Sequence, residues 1–190
     1  LLHGPSGDGK TTLACAVAKE IQEQGLGNVL IVRCTDVVSA VLGNSERSLS
    51  EAFSRARRMS PCVIVLDQIE AIGRRRGSED DTDERTWDRL LSCLLIELDG
   101  MRQESVGGTV GGTGGGTCGG TGGATGGGTG GGSGGVYVIG TTTRLSLLDP
   151  ALVRPGRFDD CVYVDHPDVE ERRVLVERFV SKAAESSFGG

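Results

Sequence analysis

The stretch that most constrains this chain is Gly4-Pro-Ser-Gly-Asp-Gly-Lys-Thr11, which fits the phosphate-loop pattern G-x-x-x-x-G-K-[ST] at every fixed position. Such a loop belongs between a strand and a helix, where several main-chain N–H groups converge on one anion. Gly4, Gly7 and Gly9 admit backbone conformations closed to residues with a Cβ. The apolar-rich run Thr12 to Ile21 reads as the following helix, its positive end toward the phosphates. Lys10 is expected to reach the β- and γ-phosphates of a nucleotide, and the Thr11 hydroxyl to take one position on Mg²⁺. Pro5, Ser6, Asp8 and Thr12 complete the expected binding loop. A glycine turn before an ordinary helix is the bland alternative. Leu1 and Leu2 are all the sequence offers of the preceding strand, so the chain reads as beginning inside a domain.

Beyond the loop, apolar runs alternate with helical patterns. Asn28 to Arg33 and Cys62 to Leu66 are nearly continuous apolar segments, as strands buried on both faces require. Asp67 follows the second of these, at the sheet end where open α/β folds bind ligands. Between them, Ser45 to Arg58 places Leu49, Ala52, Phe53 and Ala56 at helical spacing, with Ser45 as N-cap and Pro61 beyond the end. Trp87 to Leu98 reads as a helix closed by Asp99 and Gly100. Further strands are expected at Val136 to Gly140 and Cys161 to Val164, a short helix from Asp149-Pro150 through Val153, and an amphipathic helix from Val169 to Val180. Strands alternating with helices predict a mostly parallel sheet covered on both faces.

One segment breaks the pattern. From Gly107 to Gly135, 19 of 29 residues are glycine and six are threonine, too little apolar surface to offset ordering entropy, so a flexible, inert loop is expected there. Closure cost grows slowly with loop length, so a domain tolerates such an insert.

The 190 residues suffice for one α/β domain with a core of Val, Ile, Leu and Ala. A net charge of −6 without a basic tail argues against nucleic acid as the main partner. The six cysteines form no C-x-x-C pair and read as reduced, mostly buried residues of an intracellular protein, for which the cytoplasm is expected and the nucleus or an organelle surface stays open. The sequence shows no secretory signal and no apolar run of membrane-spanning length.

Assembled, these residues resemble an AAA ATPase module of the group that includes valosin-containing protein and N-ethylmaleimide-sensitive factor. Besides the phosphate loop, the resemblance rests on Val63-Ile-Val-Leu-Asp67-Gln-Ile-Glu70-Ala-Ile-Gly-Arg-Arg, similar to the family's second nucleotide motif. It rests also on Leu148-Asp-Pro-Ala-Leu-Val-Arg154-Pro-Gly-Arg157-Phe-Asp, similar to its second region of homology. The resemblance implies a P-loop NTPase three-layer sandwich with a parallel five-stranded sheet in the order 5-1-4-3-2, its first strand and helical lid truncated. It implies a nucleotide-binding core over residues 1–168, interrupted by 107–135, and the start of a lid over 169–190. It further implies Asp67 on Mg²⁺, assembly into a homo- or hetero-oligomeric ring, usually a hexamer, acting on a protein substrate or adaptor, and Arg154 and Arg157 as fingers toward a neighbour's γ-phosphate.

Three positions depart from the family pattern. Gln68 stands where a glutamate normally activates water; an amide orients water but lacks basicity, and general-base assistance is worth about 10² to 10⁴ in rate. Glu70 could substitute only if the turn aims it back at the phosphate. Thr143 replaces the sensor asparagine, with shorter reach. Val41, within Ala40 to Gly43, replaces the pore-loop aromatic and puts polypeptide threading in doubt. Two readings stay open: a slow remodelling ATPase, or a hydrolysis-deficient subunit that stabilises a ring and lends arginines to an active neighbour. A DNA-dependent relative is the third, disfavoured by the acidic balance and the Arg154 to Arg157 context.

Overall fold

The computed structural model describes residues 1–39, 45–75, 84–105 and 135–187. The pore-loop expectation on Ala40 to Gly43 and the glycine-rich stretch up to residue 134 lie outside the described residues. In chain order the elements are Leu2–His3 (β1), Lys10–Glu23 (α1), Asn28–Arg33 (β2), Cys34–Ser39 (α2), Ser45–Arg58 (α3), Cys62–Asp67 (β3), Glu84–Ser105 (α4), Val136–Thr142 (β4), Val162–Tyr163 (β5) and Val169–Ser187 (α5).

The apolar run of β3 is buried at every position, which places it inside the sheet. Strand periodicity then sorts its side chains into two layers. Val63 and Val65 meet Ala14 and Ala18 of α1 on one face; Cys62, Ile64 and Leu66 enter the larger core on the other, with Leu49 and Phe53 of α3 and Leu90, Leu91 and Leu94 of α4. The small alanines let α1 lie close to the sheet. Phe53 is fully buried, and truncating such a side chain to alanine typically costs about 3 to 5 kcal/mol. Arg57 of α3 also pairs with Glu97 of α4, tying the two helices on that face.

All five strands are parallel, in the order β2-β3-β4-β1-β5, which is the order expected from the resemblance. In the register, Leu66 of β3 sits beside Gly140 of β4, and Leu2 of β1 beside Thr141. The carboxyl ends of β1, β3 and β4 therefore converge, and the phosphate loop leaves β1 at that edge.

Several local expectations need correction. Gly100 does not close α4, which continues to Ser105 and starts at Glu84, ahead of Trp87. Met101 explains the continuation: it is 5% exposed, and keeping the helix past Gly100 buries it. The Asp149 side chain does accept the Ala151 N–H at 2.8 Å, but residues 150–153 form turns and not a helix. Ser45 is the first helical residue of α3 and lies buried, rather than standing outside as the cap. Strand β5 is only Val162–Tyr163. Among the described cysteines only Cys34 and Cys62 are buried, Cys15 and Cys93 are half-buried, and Cys161 is exposed.

Helix α5 starts on a reciprocal capping box. The Glu171 N–H donates to Asp168 at 2.8 Å, and the Asp168 N–H donates to Glu171 at 2.9 Å. The helix extends to Ser187, past the expected Val180, and leaves Val174, Leu175, Phe179 and Val180 exposed.

Candidate nucleotide site

The loop between β1 and α1 owes its shape to its glycines. Gly4 sits at φ +148°, and a Cβ there would stand 2.0 Å from the carbonyl oxygen of Val164, the residue just after β5, so the loop passes that point only with a bare Cα. Gly9, at φ 82°, turns the chain into α1. Lys10 follows, 7% exposed, its Nζ donating across the loop to the Pro5 carbonyl. An ammonium carries three donors, so this contact leaves capacity for an anion.

Asp67 is the centre of the polar network at the end of β3. Its Oδ1 accepts from the Thr11 hydroxyl at 2.6 Å and from the Thr141 hydroxyl at 2.6 Å. Thr141, itself 2% exposed, also accepts the Gln68 N–H at 3.1 Å. Two hydroxyls from different elements thus hold one carboxylate at the mouth of the loop. Gln68 turns away with φ 57° and ψ 54°, a left-handed conformation that costs a non-glycine residue about 1 to 3 kcal/mol. Glu70 then folds back beside β4, where its Oε1 accepts from the Thr143 N–H at 3.1 Å and from the Thr143 hydroxyl at 2.9 Å.

These groups line a cavity of about 250 Å³, with Ser6, Gly7, Gly9, Lys10, Thr11 and Thr12 on one side and Asp67, Gln68, Glu70 and Thr141 to Thr143 on the other. Asp67 and Glu70 place negative charge there. With burial as the main cause and those two carboxylates adding to it, the nearby Cys34 thiol is pushed up to about 12.

Other expected site residues stand elsewhere. Gly4 and Pro5 shape the loop without lining the cavity. Asp8 points out of it, its side chain 6% exposed and its Oδ1 2.7 Å from His166 Nδ1. Arg154 and Arg157 are not among the cavity walls either. Arg154 is exposed, and Arg157 is bound to Asp99.

Thr141 is the functional residue that sequence reasoning missed. The available signal was register: with Leu66 beside Gly140, the next residues along each strand are Asp67 and Thr141.

The oxygen donors also bear on a metal. Among the described residues no group of three or more His, Cys, Asp or Glu side chains is placed to hold an ion. Thr11 and Asp67 are hard oxygen donors brought together by β3 and α1. That small set fits Mg²⁺, which keeps waters and takes phosphate oxygens alongside one or two protein ligands.

Residues 1–166 match the family model described as "ATPase family associated with various cellular activities (AAA)". The chain belongs to the AAA family. It is 38% identical over 176 residues to the peroxisomal ATPase PEX6 of Neurospora crassa, covering 93% of this chain and 11% of that protein. To PEX6 of Komagataella pastoris it is 35% identical over 182 residues, covering 96% and 13%. A Dictyostelium discoideum protein named as a ribosome biogenesis ATPase, nvl, is 32% identical over 182 residues, covering 96% and 17%. The chain therefore spans less than a fifth of each of these relatives. AAA ATPases bind nucleotide with a divalent metal and typically assemble into rings. No helix among the described residues of this AAA module is long and apolar enough to cross a membrane.

Proposed function

We propose that this AAA module binds Mg²⁺ and ATP in the cavity beside the phosphate loop, and couples binding and slow hydrolysis to the remodelling of protein complexes in an intracellular ring. The convergence of Lys10, Thr11 and Asp67 on one cavity at the start of α1 carries the reading. In this scheme the loop from Gly4 to Gly9 shapes the phosphate cradle, with the N–H groups of its inward-facing part aimed at the anion, and Lys10 meets the β- and γ-phosphates. Thr11 and Asp67 hold the metal, whose charge offsets that of the phosphates when it is bound. In the same scheme Gln68 orients the attacking water, and Arg154 with Arg157, the latter resting on Asp99 in the single chain, serve as fingers toward a neighbouring subunit's nucleotide.

A second reading has its own support: an ATP-holding subunit that does not turn over. Gln68 carries no base, and the Thr143 hydroxyl proton is committed to Glu70, so Thr143 offers the cavity only acceptor lone pairs. An acceptor can hold a water molecule but cannot donate to a γ-phosphate.

Single-turnover hydrolysis by the native chain and by Gln68→Glu separates the two. Slow native turnover, accelerated about 10²-fold or more by Gln68→Glu at unchanged ATP affinity, supports the slow engine. Binding without turnover until Gln68→Glu supports the holding subunit. Native turnover equal to that of Gln68→Glu overturns the role given to Gln68 in both.

A further inference from the structure

The phosphate loop carries an anion of its own. Between Gly4 and Thr11 the sequence has one cation, Lys10, and one carboxylate, Asp8. Gly7 and Gly9, the two neighbours of Asp8, both line the nucleotide cavity, so this negative charge stands directly behind the wall that a triphosphate has to approach. The Asp8 side chain is 6% exposed, and its Oδ2 is buried without a hydrogen-bond partner. Solvent and salt therefore screen it poorly.

What faces Asp8 is His166, on the short link between β5 and α5, with a side chain that is 65% exposed. Its Nδ1 lies 2.7 Å from Asp8 Oδ1. An ionised carboxylate only accepts, so Nδ1 donates and keeps its proton in either state of the ring; the ring's charge is decided at Nε2. Histidine is the side chain that ordinarily changes charge between about pH 5 and 8. The other charged groups on these segments make their contacts with the main chain. Asp165 Oδ1 accepts the His166 N–H at 2.7 Å, Asp168 and Glu171 cap α5 reciprocally, Arg172 donates to the Pro167 carbonyl at 2.6 Å, and Lys10 donates to the Pro5 carbonyl. The chain's second histidine, His3 of β1, packs against Tyr163 with ring centroids 5.3 Å apart.

We infer that His166 is the counter-charge of the phosphate loop: protonated, it cancels Asp8 and leaves Lys10 as the loop's net charge, whereas neutral, it leaves Asp8 to repel the incoming triphosphate. ATP affinity then falls as pH rises through the histidine range. The inference rests on the nucleotide-site reading above and adds a regulator to it. A unit charge at this remove, in a partly wet site, changes affinity by about 3- to 10-fold.

The test titrates Mg·ATP at low salt, at pH 6 and at pH 8, into the native chain, His166→Asn and the double variant Asp8→Asn with His166→Asn. Asparagine at position 166 keeps an N–H toward position 8 and loses the charge, so the contact is held while the electrostatics change. Affinities are compared between chains at one pH, where protonation of the nucleotide itself is common to all. The inference expects His166→Asn to bind about 3- to 10-fold more weakly than the native chain at pH 6 and equally at pH 8. The double variant should bind tighter than His166→Asn by that same factor at both pH values. The native chain should thus match the double variant at pH 6 and His166→Asn at pH 8. Raising the salt should shrink each difference. At pH 7 the native chain should also take up more protons on binding than His166→Asn does, read from titrations in buffers of different ionisation heat. Melting curves at each pH report folding; for a variant that is not folded, His166→Gln, which also donates an N–H without a charge, replaces His166→Asn.

A native chain that binds like His166→Asn at both pH values overturns the inference. So does a loss in His166→Asn that is equal at pH 6 and pH 8, which would make His166 a mechanical tie and not a counter-charge. A double variant no tighter than His166→Asn shows that the Asp8 charge does not reach the phosphates, and overturns it too. If the folded native chain binds no ATP at either pH, the nucleotide-site reading fails and the inference falls with it.

Discussion

Thr141→Val removes one hydroxyl from a buried position while keeping the shape of the side chain, and the network around it makes the cost calculable. Two interactions are lost together. Asp67 loses one of the two hydroxyl donors on its Oδ1, and the Gln68 N–H loses its acceptor. A hydrogen bond to a charged group contributes about 1.5 to 3 kcal/mol, and a partly buried N–H left unpaired costs about 1 kcal/mol, near the low end of its range. The sum is about 3 kcal/mol, which for a chain of this size corresponds to a melting point lower by roughly 6 to 12 °C. Thr141→Ser, which keeps the hydroxyl, should lose much less. Urea unfolding of the three chains gives the free energies, and titration with Mg·ATP should show weaker binding for the valine variant, because Asp67 is then held by Thr11 alone. If Thr141→Val unfolds within about 0.5 kcal/mol of the native chain, the range of an ordinary surface change, the hydroxyl network does not organise Asp67 and the reasoning is refuted.

Three further outcomes follow from individual contacts. Gly4→Ala would drive a Cβ to within 2.0 Å of the Val164 carbonyl, so the loop must shift; ATP binding should be lost even where circular dichroism shows a folded chain. Asp8→Asn removes a negative charge from the phosphate loop while keeping an oxygen toward His166, so ATP should bind several-fold tighter in a titration at low salt, an advantage screened away by salt. The Cys34 thiol ionises near 9 when unfolded and near 12 when folded, so its contribution is fully present below pH 9 and lost as pH rises through about 12. Stability measured against pH should therefore fall more steeply above pH 9 in the native chain than in Cys34→Ala, and an alkylating reagent at pH 8 should label exposed Cys161 and spare Cys34.

Much of the scaffold could be read from the chain because burial on two faces leaves an unambiguous trace. The run Cys62 to Leu66 has no polar residue, and α3 spans the limits its apolar spacing suggested, Ser45–Arg58. What could not be read depends on tertiary contacts. Gly100 has the local chemistry of a helix end, yet Met101 finds the core one residue later and carries α4 through it. Asp149-Pro150 has the chemistry of a helix start, but the buried Leu152 and the Leu148 bridge to Arg74 hold that segment in turns. In the site, the phosphate loop announces itself because glycine, lysine and threonine are needed at fixed spacing. Thr141 carries no such mark: one threonine among three at a strand end becomes the partner of Asp67 only through the register between β3 and β4. The pairing of Glu70 with Thr143 was hidden for the same reason, since it joins residues 73 positions apart.

The central claim is that the cavity beside the phosphate loop is an ATP site gripped by Lys10. Isothermal titration of Mg·ATP into the native chain and into Lys10→Ala tests it most directly. Removing a charge-assisted donor of this kind costs about 1.5 to 3 kcal/mol, so the account predicts measurable binding by the native chain that weakens about 10- to 100-fold in Lys10→Ala. Equal binding by the two chains, or none by the folded native chain, would contradict it.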